Sequence, residues 1–166
     1  LLSPQYGSDS RADGSVETQL GPYSFSIPVI AANMDTICSV EMAIAMANLG
    51  GLGVLHRFMS IQDNVFAFKI AASKGLVGVS VGVGESELER AEALYNAGAR
   101  IFCVDIAHAH SKQMGKRLKQ LRDYLDIYLI AGNVATYGGA DYLVGSGAHA
   151  VKVGIGAGSV CTTREV

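Results

Sequence analysis

The sequence predicts an α/β protein built as a (β/α)8 barrel, of which about six βα units are present. Three observations carry this expectation. Short apolar runs recur at Ile27–Ala32, Leu52–His56, Leu76–Val83, Ile101–Ile106, Ile127–Ala131 and Ala150–Ile155, their starts 25, 24, 25, 26 and 23 residues apart. Such a period holds one strand, one helix and two short loops. The runs are continuously apolar rather than alternating, as parallel strands covered on both faces require. Nearly every run also ends in a polar or reactive residue: Asn33 and Asp35, His56 and Arg57, Asp105 and His108, Asn133, then the loop from Gly154 to Cys161. An open doubly wound sheet gathers such residues mainly at its switch point, whereas a barrel gathers them from all strands around one mouth.

The segments between the runs read as helices. Val40–Leu49 (VEMAIAMANL) is the first, and Ile61–Ser73 follows Ser60, a residue type that caps helix N-termini. Glu85–Ala97 opens with three acids, which suit the positive end of a helix dipole. Ser111–Leu125 sets Leu118, Leu121 and Leu125 against Lys116, Arg117, Lys119 and Arg122, predicting a core stripe and a solvated basic face. Gly50, Gly75, Gly98 and Gly147 stand where helices stop before the next strand.

Composition narrows the function classes. With 49% hydrophobic and 17% charged residues among 166, the chain is neither disordered nor low in complexity. Thirteen basic against fifteen acidic residues leave no basic footprint for nucleic acid or an anionic membrane. No apolar run approaches the ~18 residues of a membrane span. Cys38, Cys103 and Cys161 are too few and too scattered for a disulfide framework, and no CxxC pair suggests zinc, so a reducing, cytoplasmic setting is expected. The chain begins Leu1-Leu2-Ser3-Pro4 and stops at Val166 just after a Gly-rich loop, so it reads as a single partial barrel over residues 1–166, truncated after that loop.

That loop, GIGAGSVCTTR from Gly154 to Arg164, is the densest signal. Glycines at alternate positions let backbone groups crowd around an ion, Ser159 adds a hydroxyl, and Arg164 offers a charge that depresses a thiol pKa. Residue chemistry alone leaves Cys161 either a catalytic nucleophile or a small buried thiol. The loop is not a GxGxxG fingerprint, because Ser stands at 159. His108 and His110 form an HxH that would share one face of a strand and admit a metal site, although no third ligand has an obvious place. His56 and His149 read as hydrogen-bonded structural residues.

Together with AANMDT at 31–36, GGLGVLHRFMSI at 50–61, VDIAHAHS at 104–111 and IAGNVAT at 130–136, the cysteine loop resembles the IMP dehydrogenase/GMP reductase family almost from end to end. The resemblance implies a TIM barrel that binds a purine nucleoside monophosphate at the strand C-termini, with Cys161 attacking C2 of the purine. In a dehydrogenase, hydride then leaves C2 for NAD and water releases XMP. In a reductase, ammonia leaves GMP and NADPH delivers hydride. Carried over residue by residue, Thr163 helps activate water or ammonia, and Ser159 helps hold the substrate phosphate. Asn133 lines the nucleotide pocket and Met34 packs near the base. Asp105 lies by the nicotinamide ribose, with Gly154 also on the cofactor side. Backbone carbonyls of Gly156, Gly158 and Cys161 match a potassium site. Each has a plainer alternative: Asp105 a helix cap, Asn133 a turn former, Met34 core. The resemblance also implies a homotetramer.

Departures from the family pattern are Ala157 in place of Pro, Ala109 in place of Gly, and Ala32 in place of a serine common in dehydrogenases. Met59-Ser60-Ile61-Gln62 runs straight into the next helix, with none of the regulatory CBS modules that many dehydrogenases insert nearby. AANMDT and the missing insert resemble a reductase, whereas MAIAMANLGGLGVLHRFMSI, VGVGESELERAEALYNAGA and AHAHS resemble a dehydrogenase. The expectation is an IMP dehydrogenase, with GMP reductase as the alternative. A metal-dependent barrel hydrolase or a catalytically inert partial barrel are readings of other classes.

Overall fold

The computed structural model describes residues 14–155. An antiparallel hairpin, β1 (Thr18–Leu20) and β2 (Tyr23–Phe25), precedes six parallel strands. These are β3 (Ile30–Ala31), β4 (Leu52–Leu55), β5 (Val77–Val81), β6 (Ile101–Asp105), β7 (Tyr128–Val134) and β8 (Ala150–Val153). Five helices alternate with them: α1 (Val40–Asn48), α2 (Ile61–Ala72), α3 (Ser86–Asn96), α4 (Lys112–Tyr124) and α5 (Tyr137–Gly145). The sheet order is β3-β4-β5-β6-β7-β8, with no reversal. A doubly wound sheet reverses its order at a switch point, so this winding is that of a barrel wall.

All six apolar runs became strands and all four expected helices formed. β3 is shorter than its run, which contains Pro28, a residue without a ladder N–H. β7 is longer and carries Asn133 inside it. The hairpin was not foreseen, and of α5 only the stop at Gly147 was read from the sequence. Ser60 caps α2 as expected, its hydroxyl accepting the Asp63 N–H at 3.1 Å, and Ser39, Ser111 and Thr136 cap α1, α4 and α5 in the same way. Residues 73–76 alone connect α2 to β5.

Strand alternation sorts two cores. Side chains pointing away from the barrel axis, among them Leu55, Val79, Phe102, Val104 and Leu129, pack with Phe68, Leu94, Leu118, Leu121 and Leu143 of the helices. Those pointing inward, Leu52, Val54, Ile101, Cys103 and Ile130, form a second cluster with Phe25, and Leu20, Tyr23 and Tyr128 pack against it. Fully burying such an aliphatic side chain contributes about 1.5–3 kcal/mol. The hairpin therefore stoppers the end of the barrel away from the strand C-termini. Its turn residue Gly21 has φ +59°, and a side chain there would collide with the Tyr128 ring. Tyr128 in turn meets Tyr23 edge-on, at 6.1 Å between ring centroids.

Two expectations need correction. The basic face of α4 is not wholly solvated: Lys116, Lys119 and Arg122 are exposed, but Arg117 is buried. The geometry of α4 turns it toward the loop after β5, where Nη2 donates to the Gly84 carbonyl at 2.7 Å. His108 and His110 lie in the loop after β6, not on a strand. His110 packs on Tyr142, ring centroids 5.0 Å apart, and no cluster among the described residues could hold a metal.

Candidate functional site at the strand C-termini

The C-terminal mouth is assembled from residues far apart in the chain. Asn33 and Met34 follow β3, Asp105 ends β6, Asn133 lies in β7, Lys152 in β8, and Gly154 just after it. The alternation that turns Ile101 and Cys103 inward also turns Asp105 inward, one step nearer the mouth. Lys152 occupies the equivalent inward position on β8, directly across from Gly132. A Cβ on Gly132 would lie 2.6 Å from that of Lys152, so the glycine makes room for the lysine stem.

Lys152 is the hub. Its Nζ donates to Asp105 Oδ2 at 2.5 Å and to Asn33 Oδ1 at 3.4 Å. Asn33 follows the first strand of the sheet and Lys152 lies in the last, so this link spans the mouth between the two edges. Directly below, Cys103 Sγ lies 4.0 Å from the same Asn33 oxygen. Burial pushes the Cys103 thiol up to about 12, with the Asp105 charge adding to the rise and Lys152 opposing it. This cysteine is an inert neutral thiol at neutral pH.

Asn133 is pinned through its backbone: its N–H donates to the Ile106 carbonyl and its own carbonyl accepts from the Ala109 N–H, both at 2.9 Å. The register shifts between Gly132 and Val134, so Asn133 sits at an irregularity in the ladder. Its side-chain Oδ1 is buried without a partner among the described residues. A buried acceptor of this kind carries a desolvation penalty that a donor from a bound molecule would relieve. Gly154 has φ +114° and open space where a side chain would stand. Met34 is half exposed.

The surroundings of these residues differ from those the plainer alternatives describe. Asp105 pairs with Lys152 while Ser111 caps α4, Asn133 lies within a strand, and Met34 is not core. The histidine expectation holds: His149 Nδ1 accepts the Leu129 N–H at 2.9 Å and His56 Nδ1 that of Phe58 at 3.3 Å. Ser159, Cys161, Thr163, Gly156 and Gly158 lie outside the described residues. Lys152 was given no role from sequence and Asn33 was marked only as a polar strand end, although a lysine at an inward position of the apolar strand AVKV was a usable signal. The arrangement offers a carboxylate held by an ammonium, an amide oxygen without a partner among the described residues, and an exposed thioether. These suit hydroxyl and N–H donors and a flat apolar surface.

Comparison with known proteins gives the family. The family model described as IMP dehydrogenase / GMP reductase domain matches residues 1–166. The chain is 31% identical to an inosine-5'-monophosphate dehydrogenase of Cryptosporidium parvum over 209 aligned residues, covering 100% of this chain and 52% of that protein. It is 39% identical to a GMP reductase of Streptococcus agalactiae over 157 residues, covering 93% and 48% respectively. The crystal structure of inosine 5' monophosphate dehydrogenase from Legionella pneumophila superposes with a TM-score of 0.86 at 53% identity, covering 99% of this chain and 51% of that one. The chain thus spans about half the length of the relatives it matches.

Proposed function

This chain belongs to the IMP dehydrogenase / GMP reductase family, and from that membership we propose that it forms part of an IMP dehydrogenase, oxidising IMP to XMP with NAD in guanine nucleotide synthesis. The observation that carries the choice of dehydrogenase is the 53% identity to the Legionella dehydrogenase over nearly the whole chain, against 39% to a reductase.

In this reading the Cys161 thiolate adds to C2 of the purine and makes that carbon tetrahedral, so that hydride can depart from it. Bound NAD supplies the hydride acceptor. The resulting thioimidate on Cys161 is hydrolysed by a water that Thr163 helps activate, which releases XMP and restores the thiol. Ser159 holds the substrate phosphate, Met34 covers the base, and Asn133 Oδ1, without a partner among the described residues, accepts from the bound nucleotide. Asp105, oriented by Lys152, would receive the cofactor ribose hydroxyls, and Gly154 would leave room for the cofactor. Potassium on the carbonyls of Gly156, Gly158 and Cys161 belongs to the same proposal, and no step here rests on it. The working protein is read as a cytoplasmic homotetramer without nucleic-acid or membrane partners. Among the described residues no helix is long and apolar enough to cross a membrane.

The test is turnover by the full-length protein. NADH and XMP form from IMP and NAD, and Cys161→Ala abolishes both. NADPH consumption with GMP alone would assign the reductase reading instead, and unchanged turnover by Cys161→Ala would remove the cysteine from the mechanism.

A further inference from the structure

Three charged side chains that the proposed reaction does not use are buried behind the rim of the mouth: Glu87 and Arg90 on α3, and Arg117 on α4. Glu87 Oε2 accepts the Gly82 N–H at 2.6 Å, and its Oε1 accepts from Arg90 Nε at 3.2 Å. Arg90 Nη1 donates to Asn64 Oδ1 and Nη2 to the Met59 carbonyl, both at 3.0 Å. Asn64, fully buried on α2, passes the connection on through Nδ2 to the His56 carbonyl at 3.2 Å. From the other side Arg117 Nη2 donates to the carbonyls of Val83 and Gly84 at 3.3 and 2.7 Å.

All the backbone groups in this network belong to two loops, residues 56–59 after β4 and 82–84 after β5. Both leave strand C-termini and so form part of the rim. They also touch each other, since a Cβ on Gly82 would lie 3.1 Å from the Arg57 guanidinium carbon. Holding two guanidinium groups and one carboxylate out of water is costly, and apolar side chains of similar size would pack these helices as well. Burial lowers the Arg117 pKa, with the Glu87 charge opposing, and Nε and Nη1 of Arg117 have no partner among the described residues. An apolar substitute could not grip carbonyl and N–H groups that lie beyond the strand ladder.

We propose that Arg90, acting with Glu87 and Asn64, is a positioning residue that locks the loops after β4 and β5 into the conformation in which the mouth binds its nucleotide. Arg117 clamps the second loop from α4. The role needs arginine: one planar fork reaches a carboxylate, an amide oxygen and a backbone carbonyl together, whereas a lysine ammonium is a single point charge. The catalytic part of this inference rests on the dehydrogenase or reductase reading. The loop-locking part does not.

The test compares Arg90→Lys and, as an independent lesion, Asn64→Ala with the wild type in the full-length protein. Amide exchange at Phe58, Met59 and Gly82 is expected to accelerate about tenfold or more while that of β4 and β5 stays unchanged, because the opening is local. The nucleotide KM is expected to rise about tenfold with kcat changed much less, since misplaced binding groups act on ligand capture. Unchanged loop exchange in both variants, or exchange raised equally in strands and loops, overturns the positioning role. Accelerated loop exchange with an unaltered KM overturns its link to binding. A wild type that turns over neither IMP with NAD nor GMP with NADPH counts against the functional reading, and loop exchange then decides the positioning claim alone.

Discussion

Replacing Lys152 with Met removes the ammonium but keeps most of the stem, and so isolates the charge pair at the centre of the mouth. Its side chain is 37% exposed and that of Asp105 16%, with 2.5 Å between Nζ and Oδ2. Fully exposed pairs contribute about 0.2–1 kcal/mol. Removing one partner of a fully buried pair costs about 3–5 kcal/mol, because the other charge is stranded. A pair with one well-buried partner and one part-exposed partner falls between, so a coupling of about 1–2 kcal/mol is expected after discounting for solvent screening. The measurement is a double-mutant cycle in the full-length protein, with Lys152→Met, Asp105→Asn and the double variant followed by urea unfolding. Lys152→Met should destabilise more than the double variant, which strands no carboxylate. A coupling below about 0.3 kcal/mol, within the scatter of independent sites, would refute the argument that Lys152 organises Asp105.

Two further outcomes follow from the same geometry. The Cys103 pKa is raised above its ordinary 9.0 to about 12, so the folded state holds the proton more tightly than the unfolded one. The stability this confers is full below pH 9.0 and is lost as pH rises toward about 12. Wild-type stability should therefore fall more steeply than that of Cys103→Ala across this interval, and parallel urea midpoints would contradict it. Gly53→Ala should destabilise by about 1–3 kcal/mol, because the new Cβ would lie 2.5 Å from Ala43 Cα and push α1 off β4. Gly145→Ala, with nothing within 4 Å, is the control and should leave thermal melting unlowered.

Much of the fold was legible because strand and helix signals are local. Six apolar runs and four amphipathic segments mark most of the wall. The hairpin escaped notice because TQL and YSF are only three residues each and carry little apolar pattern, and its fixing contact with Tyr128 is made by tertiary packing. Of α5 only the stop at Gly147 was read, because YGGADYLVG has two glycines in its first turn, poor helix formers, and is held by the Thr136 cap and by burial of Leu143. Arg117 was misplaced because helical periodicity locates a face but not the loop that folds over it. Among the site residues, Asp105 and Asn133 were marked by their positions at strand ends and Met34 by resemblance, and all three lie at the C-terminal ends of the strands. Lys152 stayed hidden because its inward direction depends on strand register.

By itself the sequence determined the repeating strand–helix architecture and the family, since both are written in local period and in motifs that need no knowledge of contacts. Tertiary structure decided which charges are held out of water and which polar groups meet. Lys152 reaches Asp105 across 47 residues and Asn33 across 119. Whether side chains so distant in the chain touch depends on the curvature of the sheet and on the inward or outward phase of each strand, and a one-residue slip would reverse that phase.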